Sequence, residues 1–316
     1  MPVREVTEEM IQSVVNRRSF LTGLGMAGAG AAVATLTGCS GSAMASTAAT
    51  TDTAAQIFTA ALIAEDLAIT TYYNILVGAA IQDSNLAGTG GTPNNVASNG
   101  SVINVAYLQA ALAEELQHAQ LLRTLLNINT NGSADASVGV PTSFYFPSGT
   151  FNTLPNFLPT LITLETAFIG AYMTAVQEFA SMAAGYNGFS ATQTNPAGGT
   201  YTQAQLINFA KVCAAILGVE SEHRALVRGI PAVTLGSPSV GGVTLIPANN
   251  VNYESTDGLT GLIVNAGTGV TAAAALAPFL NSGSTNNTAF SFQTALSGSA
   301  SVLLPSQFAP TGTIPM

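Results

Sequence analysis

Glu115-Leu116-Gln117-His118 and Glu220-Ser221-Glu222-His223 contain both histidines of this 316-residue chain, each three places after a glutamate. Both stretches lie in apolar segments with helical period. Residues three apart on a helix share a face with side-chain roots about 5–6 Å apart, so a carboxylate and an imidazole at this spacing close on one ion. With only 16 acidic residues in the chain, a Glu ahead of each histidine is a chelation signature and not an accident of composition.

The surrounding sequence repeats itself. Glu65 and Glu165 are each followed seven residues later by a tyrosine, Tyr72 and Tyr172, and Glu115 to Arg123 and Glu220 to Arg228 both read Glu-x-x-His-x-x-Leu-x-Arg. The order is Glu, Glu-x-x-His, Glu, Glu-x-x-His. The single glutamates are offset by 100 residues (165 less 65) and the motif glutamates by 105 (220 less 115). That pattern predicts a duplicated helical hairpin assembled as a pseudo-symmetric four-helix bundle, two helices each giving a Glu and two each giving a Glu-His pair.

This constellation resembles the ferritin-like superfamily, which includes ferritins, bacterioferritins, rubrerythrins and manganese catalases. More narrowly, it is similar to exported bacterial ferritin-like proteins related to desiccation-associated proteins. The resemblance covers residues 52–230 and implies an all-α, ferritin-like four-helix bundle. It also implies that Glu65, Glu115, His118, Glu165, Glu220 and His223 are ligands of two metal ions. The mixed oxygen and nitrogen shell suits two Fe or two Mn ions better than calcium, which takes oxygen alone, or structural zinc, which favours Cys and His.

Tyr72 and Tyr172 have the phase to assist. Seven residues turn a helix through about 700°, so each phenol projects on its glutamate's face some ~10.5 Å along the axis. From there it has three uses: hydrogen-bonding a carboxylate from another helix, donating an electron in oxygen chemistry, or filling the core. Arg123 and Arg228 read as partners of acids near the bundle ends or as ordinary helix-end cations. Asp66, Glu114, Glu178 and Glu222 fall out of phase with the ligands and read as solvated or rim charges.

At 47% hydrophobic and 7% charged residues, the chain has ample material for one core. Residues 40–316 retain Arg123, Lys211, Arg224 and Arg228 against 13 acids. The chain has no basic stripe to neutralise phosphates, which argues against nucleic acid. Four of those acids are proposed ligands and would repel one another without metal or protons, so metal should add to folding stability. The helices carry ligand carboxylates or polar breaks, and on that ground none reads as a membrane span.

The amino end has the pattern of a twin-arginine export signal: Asn16-Arg17-Arg18-Ser19-Phe20-Leu21, then a weakly apolar Gly/Ala-rich run. Leu36-Thr37-Gly38-Cys39 resembles a bacterial lipobox with Cys39 as the lipidated residue, and Ala43-Met44-Ala45 offers ordinary cleavage instead. Residues 1–39 therefore read as the signal, 40–51 as a tether, 52–230 as the bundle and 231–316 as a polar extension packed on the bundle or a neighbouring subunit. Cys213 has no disulfide partner in such a mature chain and reads as a small buried hydrophobe.

Helices are expected from Asp52, as N-cap, to Ala80, and over Val102–Asn127, Asn156–Ala184 and Thr202–Arg228. Residues 83–101, with Pro93, form a loop, and residues 129–155 form an irregular crossover between hairpins. Residues 186–199 connect the last two helices, and Gly229 with Pro231 stops the fourth. In the extension, Gly242–Ile246 and Thr260–Val264 read as strands and Thr271–Leu280 as a short helix.

Two functional readings follow. One is an exported, membrane-tethered di-iron or di-manganese protein that oxidises metal ions or breaks down peroxide in the cell envelope. The other is a non-enzymatic stress-associated protein that keeps the metal pair as a structural staple. Mineral storage fits less well, since the crossover and residues 231–316 would obstruct closure of a shell.

Overall fold

The structure, a computed structural model, describes residues 52–185, 199–230, 239–240, 243–244, 272–282 and 286–303. The export signal with Arg17, Arg18 and Cys39, the tether and the expected strand at 260–264 lie outside the described residues, as does nearly all of the connection 186–199.

Four long helices carry the fold: α1 (Ala54–Val77), α2 (Val102–Leu125), α3 (Leu154–Ala183) and α4 (Gln203–Val227). A short strand, β1 (Ser143–Phe146), lies between α2 and α3. Beyond α4 come the two-residue strands β2 (Ser239–Val240) and β3 (Val243–Thr244), then α5 (Ala272–Leu280), β4 (Thr288–Ser291) and α6 (Phe292–Gly298). The described chain is mostly helical, with a partly β extension. α1 packs chiefly on α2 and α3 on α4, the two sequence hairpins, and their inward faces form one core.

Each helix start is written locally. The Thr53 hydroxyl accepts from Gln56 N–H while the Gln56 side chain reaches back to Thr53 N–H, a reciprocal cap repeated by Thr202 and Gln205 at α4. The cap of α1 is therefore Thr53 and not Asp52. Only Thr53 has a glutamine three residues on; at that distance from Asp52 stands Ala55.

α1 also stops at Val77, short of Ala80. Gly78 is extended, and a side chain there would meet the carbonyls of Asn74 and Phe151 at 2.6 and 2.7 Å. The crossover backbone presses against this point, and the Ala80 N–H donates to the Phe151 carbonyl. A single 3-10 turn, Ala79–Gln82, follows.

The crossover is less irregular than expected. β1 pairs antiparallel with β4, with Ser143 opposite Ser291 and Phe146 opposite Thr288. Phe144 and Phe146 point inward, and Phe146 stacks edge-on with Phe151, Phe279 and Phe290 at centroid distances of 5.0, 5.4 and 5.5 Å. α5 packs on α3 and α6 on α1, so these parts of the extension belong to the same body. The expected helix near residues 271–280 is present as α5; of the expected strand at 242–246, Val243 and Thr244 form β3 and the rest lies outside the described residues.

Among the described residues three helices, α1, α3 and α4, are by length and composition apolar enough to cross a membrane. This corrects the sequence expectation. Two carboxylates in each of these helices of 24–30 residues leave the mean hydropathy high, and the cost of burying Glu65, Glu165 and Glu220 is met inside the fold, where they converge.

Candidate metal centre

The four helices bring the six expected donors to one point. Glu65 comes from α1, Glu115 and His118 from α2, Glu165 from α3, and Glu220 and His223 from α4. All four glutamates and His223 are at most 1% exposed. Ligand atoms of Glu65, Glu115, His118 and Glu220 lie within 4.8 Å of one another, as do those of Glu115, Glu165, Glu220 and His223. Either set is able to hold a metal ion.

Glu115 and Glu220 belong to both sets and divide their oxygens between them. His118 Nδ1 lies 3.2 Å from Glu115 Oε2 and 3.6 Å from Glu220 Oε1. His223 Nδ1 lies 3.1 Å from Glu115 Oε1 and 3.7 Å from Glu220 Oε2. Each of these carboxylates therefore turns one oxygen toward each imidazole. Glu65 stands only with His118 (3.3 Å) and Glu165 only with His223 (3.9 Å).

Apart from the hydrogen bond between His118 Nδ1 and Glu115 Oε2, these inner atoms are gathered without bonding to one another. Glu65 Oε2, Glu115 Oε1, Glu165 Oε2, Glu220 Oε2 and His223 Nδ1 are all buried and lack a hydrogen bond. Leaving one such polar atom unsatisfied costs about 1–3 kcal/mol, more when it is charged, so five converging on one spot call for a cation. Four carboxylates with two neutral imidazoles carry four negative charges, which two divalent ions would balance. The donor set fits the metal pair.

Metal-free electrostatics agree. Burial, with the facing carboxylate of Glu65, raises Glu115 above the ordinary glutamate range. Burial raises Glu165 well above it, with Glu220 and Glu115 adding repulsion, and burial with the Glu115 charge raises Glu220. Burial alone would make the imidazoles less basic, but for His118 the charges of Glu65 and Glu115 outweigh it. For His223, the hydrogen bond to Glu114 and the facing carboxylates of Glu115 and Glu220 do the same.

Both tyrosines meet the opposite hairpin's glutamate. Tyr72 on α1 donates to Glu165 Oε1 at 2.5 Å, and Tyr172 on α3 donates to Glu65 Oε1. Each phenol holds the outer oxygen and leaves Oε2 turned to the centre. Burial beside those carboxylates raises both phenols well above their ordinary pKa. Of the three uses the sequence allowed, the geometry provides the carboxylate hydrogen bond.

Several acids are not where helical phase put them. Glu114 is partly exposed, but its Oε2 meets His223 Nε2 at 2.9 Å, and the Tyr107 hydroxyl donates to the His223 carbonyl at 2.5 Å. Asp66, read as solvated, is fully buried. Arg123 binds it at 2.8 Å and clamps Asp135 with contacts of 2.7–3.0 Å, so Arg123 is a buried cation and not a helix-end one. Glu178 is also buried, lining a cavity with Ala64 and Tyr172. Their phase excludes them from the centre, as expected; what it could not show is that other elements cover those faces. The adjacent Glu114-Glu115 pair was the one signal that could have pointed to the His223 contact. Glu222 is exposed as read, and Arg228 is partly buried at the C-cap of α4. Cys213 is 1% exposed, its thiol pushed up to about 12 by burial.

Comparison with protein-family models, curated proteins and solved structures finds no match to this chain. The functional argument therefore rests on the centre.

Proposed function

We propose that this is a ferritin-like protein whose four-helix bundle holds two iron or two manganese ions. In this reading the chain is exported by the twin-arginine route, tethered to the membrane through Cys39, and acts on O₂ or peroxide at the cell envelope. The observation that carries the proposal is the way Glu115 and Glu220 each offer one oxygen to either histidine's set. Carboxylates so placed could each serve both ions, while Glu65 and Glu165 would each serve one. When bound, iron or manganese would supply one-electron valence changes at each position, letting the pair exchange two electrons with an oxygen-derived substrate.

The protein's own part is to hold and shield. Tyr72 and Tyr172 fix the outer carboxylate oxygens, and Glu114 fixes the ring of His223. Burial keeps bulk water from the donors. The same closure favours a second reading, a metal staple without turnover, because only His118 among the six reaches the surface.

Elemental analysis of protein purified from its native compartment decides between them. Two equivalents of Fe or Mn per chain with consumption of O₂ or peroxide support the redox reading. Bound metal without turnover supports the staple, and protein isolated without metal that also fails to take up Fe(II) or Mn(II) refutes both. Replacing Arg17 and Arg18 by Lys should trap precursor in the cytoplasm; normal export of that variant would refute the twin-arginine route.

A further inference from the structure

The inner donors come evenly from the two halves of the chain, but the surroundings of the two imidazoles differ. His223 is held twice more from α2, its Nε2 by Glu114 and its carbonyl by Tyr107, and its side chain is 1% exposed. Every polar contact of His118 runs through Nδ1 toward Glu65, Glu115 and Glu220. Among the described residues no carboxylate meets its Nε2, and its side chain is 12% exposed.

The duplication explains the difference. The offset of 105 that carries Glu115 onto Glu220 carries Glu114 onto Val219 and Tyr107 onto Val212. A valine side chain can neither accept from an imidazole N–H nor donate to a carbonyl. One half therefore supplies a polar brace to the other's histidine and receives none in return. Holding the outer N–H of a ligating histidine fixes its tautomer and orientation, and loss of such a partner typically costs about 10–100-fold in metal affinity.

We propose that the two metal positions are inequivalent. The position at Glu65, Glu115, His118 and Glu220 is the exchangeable one, through which ions and small ligands enter and leave. The position at His223 is locked by Glu114 and Tyr107. This rests on the metal-pair reading above. The His118 ring is the one donor side chain with appreciable exposure, 12% against 1% for His223, so exchange with solvent should run past it.

The test uses the full chain loaded with two equivalents of Mn(II) and challenged with excess EDTA, with released Mn(II) followed by electron paramagnetic resonance. Two phases of equal amplitude are expected, separated by about tenfold or more in rate. Crystals extracted for a time between the phases should keep anomalous density at the His223 position alone. Val219→Glu, which places a carboxylate where the brace is missing, should slow the fast phase, and Glu114→Ala should speed the slow one. A single phase in the unmodified protein, or density kept at His118 and lost at His223, overturns the proposal while leaving the metal pair standing. Failure of Mn(II) to bind at either position overturns the metal-pair reading and this inference with it.

Discussion

Replacing Arg123 with Met should be among the most damaging substitutions outside the metal centre. The guanidinium is 1% exposed, binds Asp66 at 2.8 Å and Asp135 at 2.7–3.0 Å, and lies 5.7 Å from the centroid of the Phe292 ring on α6. Methionine fills much of the volume but leaves two carboxylates, 0% and 2% exposed, with no cation between them. Breaking a buried pair by removing one partner costs about 3–5 kcal/mol, and burial on both sides leaves little solvent screening to reduce it. For an ordered body of this size, at about 2–4 °C per kcal/mol, the melting temperature should fall by about 6–20 °C.

The assay is thermal unfolding of metal-free protein at neutral pH, followed by circular dichroism, so that metal affinity does not enter. Asp66 already sits well above the ordinary aspartate range because burial outweighs the attraction of Arg123. Without Arg123 it should rise further, so the folded variant gains protons on acidification that its unfolded chain does not, and the deficit should shrink as pH falls. Adding Asp66→Asn to the Met variant should recover part of the loss. A drop of less than about 3 °C would correspond to an exposed helix-end cation and would refute the burial argument.

Tyr72→Phe and Tyr172→Phe should each free an outer carboxylate oxygen and lower metal affinity about 10–100-fold with little change in helix content; unchanged affinity by titration calorimetry would show that the phenols do not orient Glu165 and Glu65. The pH profiles of loaded and metal-free protein should have opposite slopes. Burial and mutual repulsion raise Glu115, Glu165 and Glu220, so the metal-free fold binds protons that the unfolded chain releases, and it should become more stable as pH falls from neutral toward the ordinary glutamate range. The raised histidines act in the same direction, their contribution being complete below the ordinary imidazole value and lost as pH rises. Loaded protein should lose stability over the same range as protons displace metal, and parallel melting curves across pH would contradict this account. Cys213 should resist iodoacetamide at pH 8 in the native protein and react after denaturation; rapid native labelling would place it outside the core.

How much of this was legible in the chain follows from the range of each interaction. Helix starts are decided within three residues, so Thr202 and the stop at Gly229 could be read directly, and Thr53 was missed only by choosing its neighbour. The two Glu-His pairs could be read because a spacing of three puts a carboxylate and an imidazole on one helix face, whereas Glu65 and Glu165 joined the set through the family resemblance. Other features depend on pairs far apart in sequence. Glu114 meets His223 and Tyr72 meets Glu165 only because hairpins joined by a crossover pack side by side. β1 has no period long enough to announce a strand, and its partner β4 lies 145 residues away (288 less 143). Asp66 looked solvated because it falls out of phase with the ligand face; Arg123 reaches it from α2, and Asp135 closes the cluster from the crossover. Local hydrogen bonding and helical phase are carried by the sequence itself. Which charges lose their water is decided only when distant elements cover them.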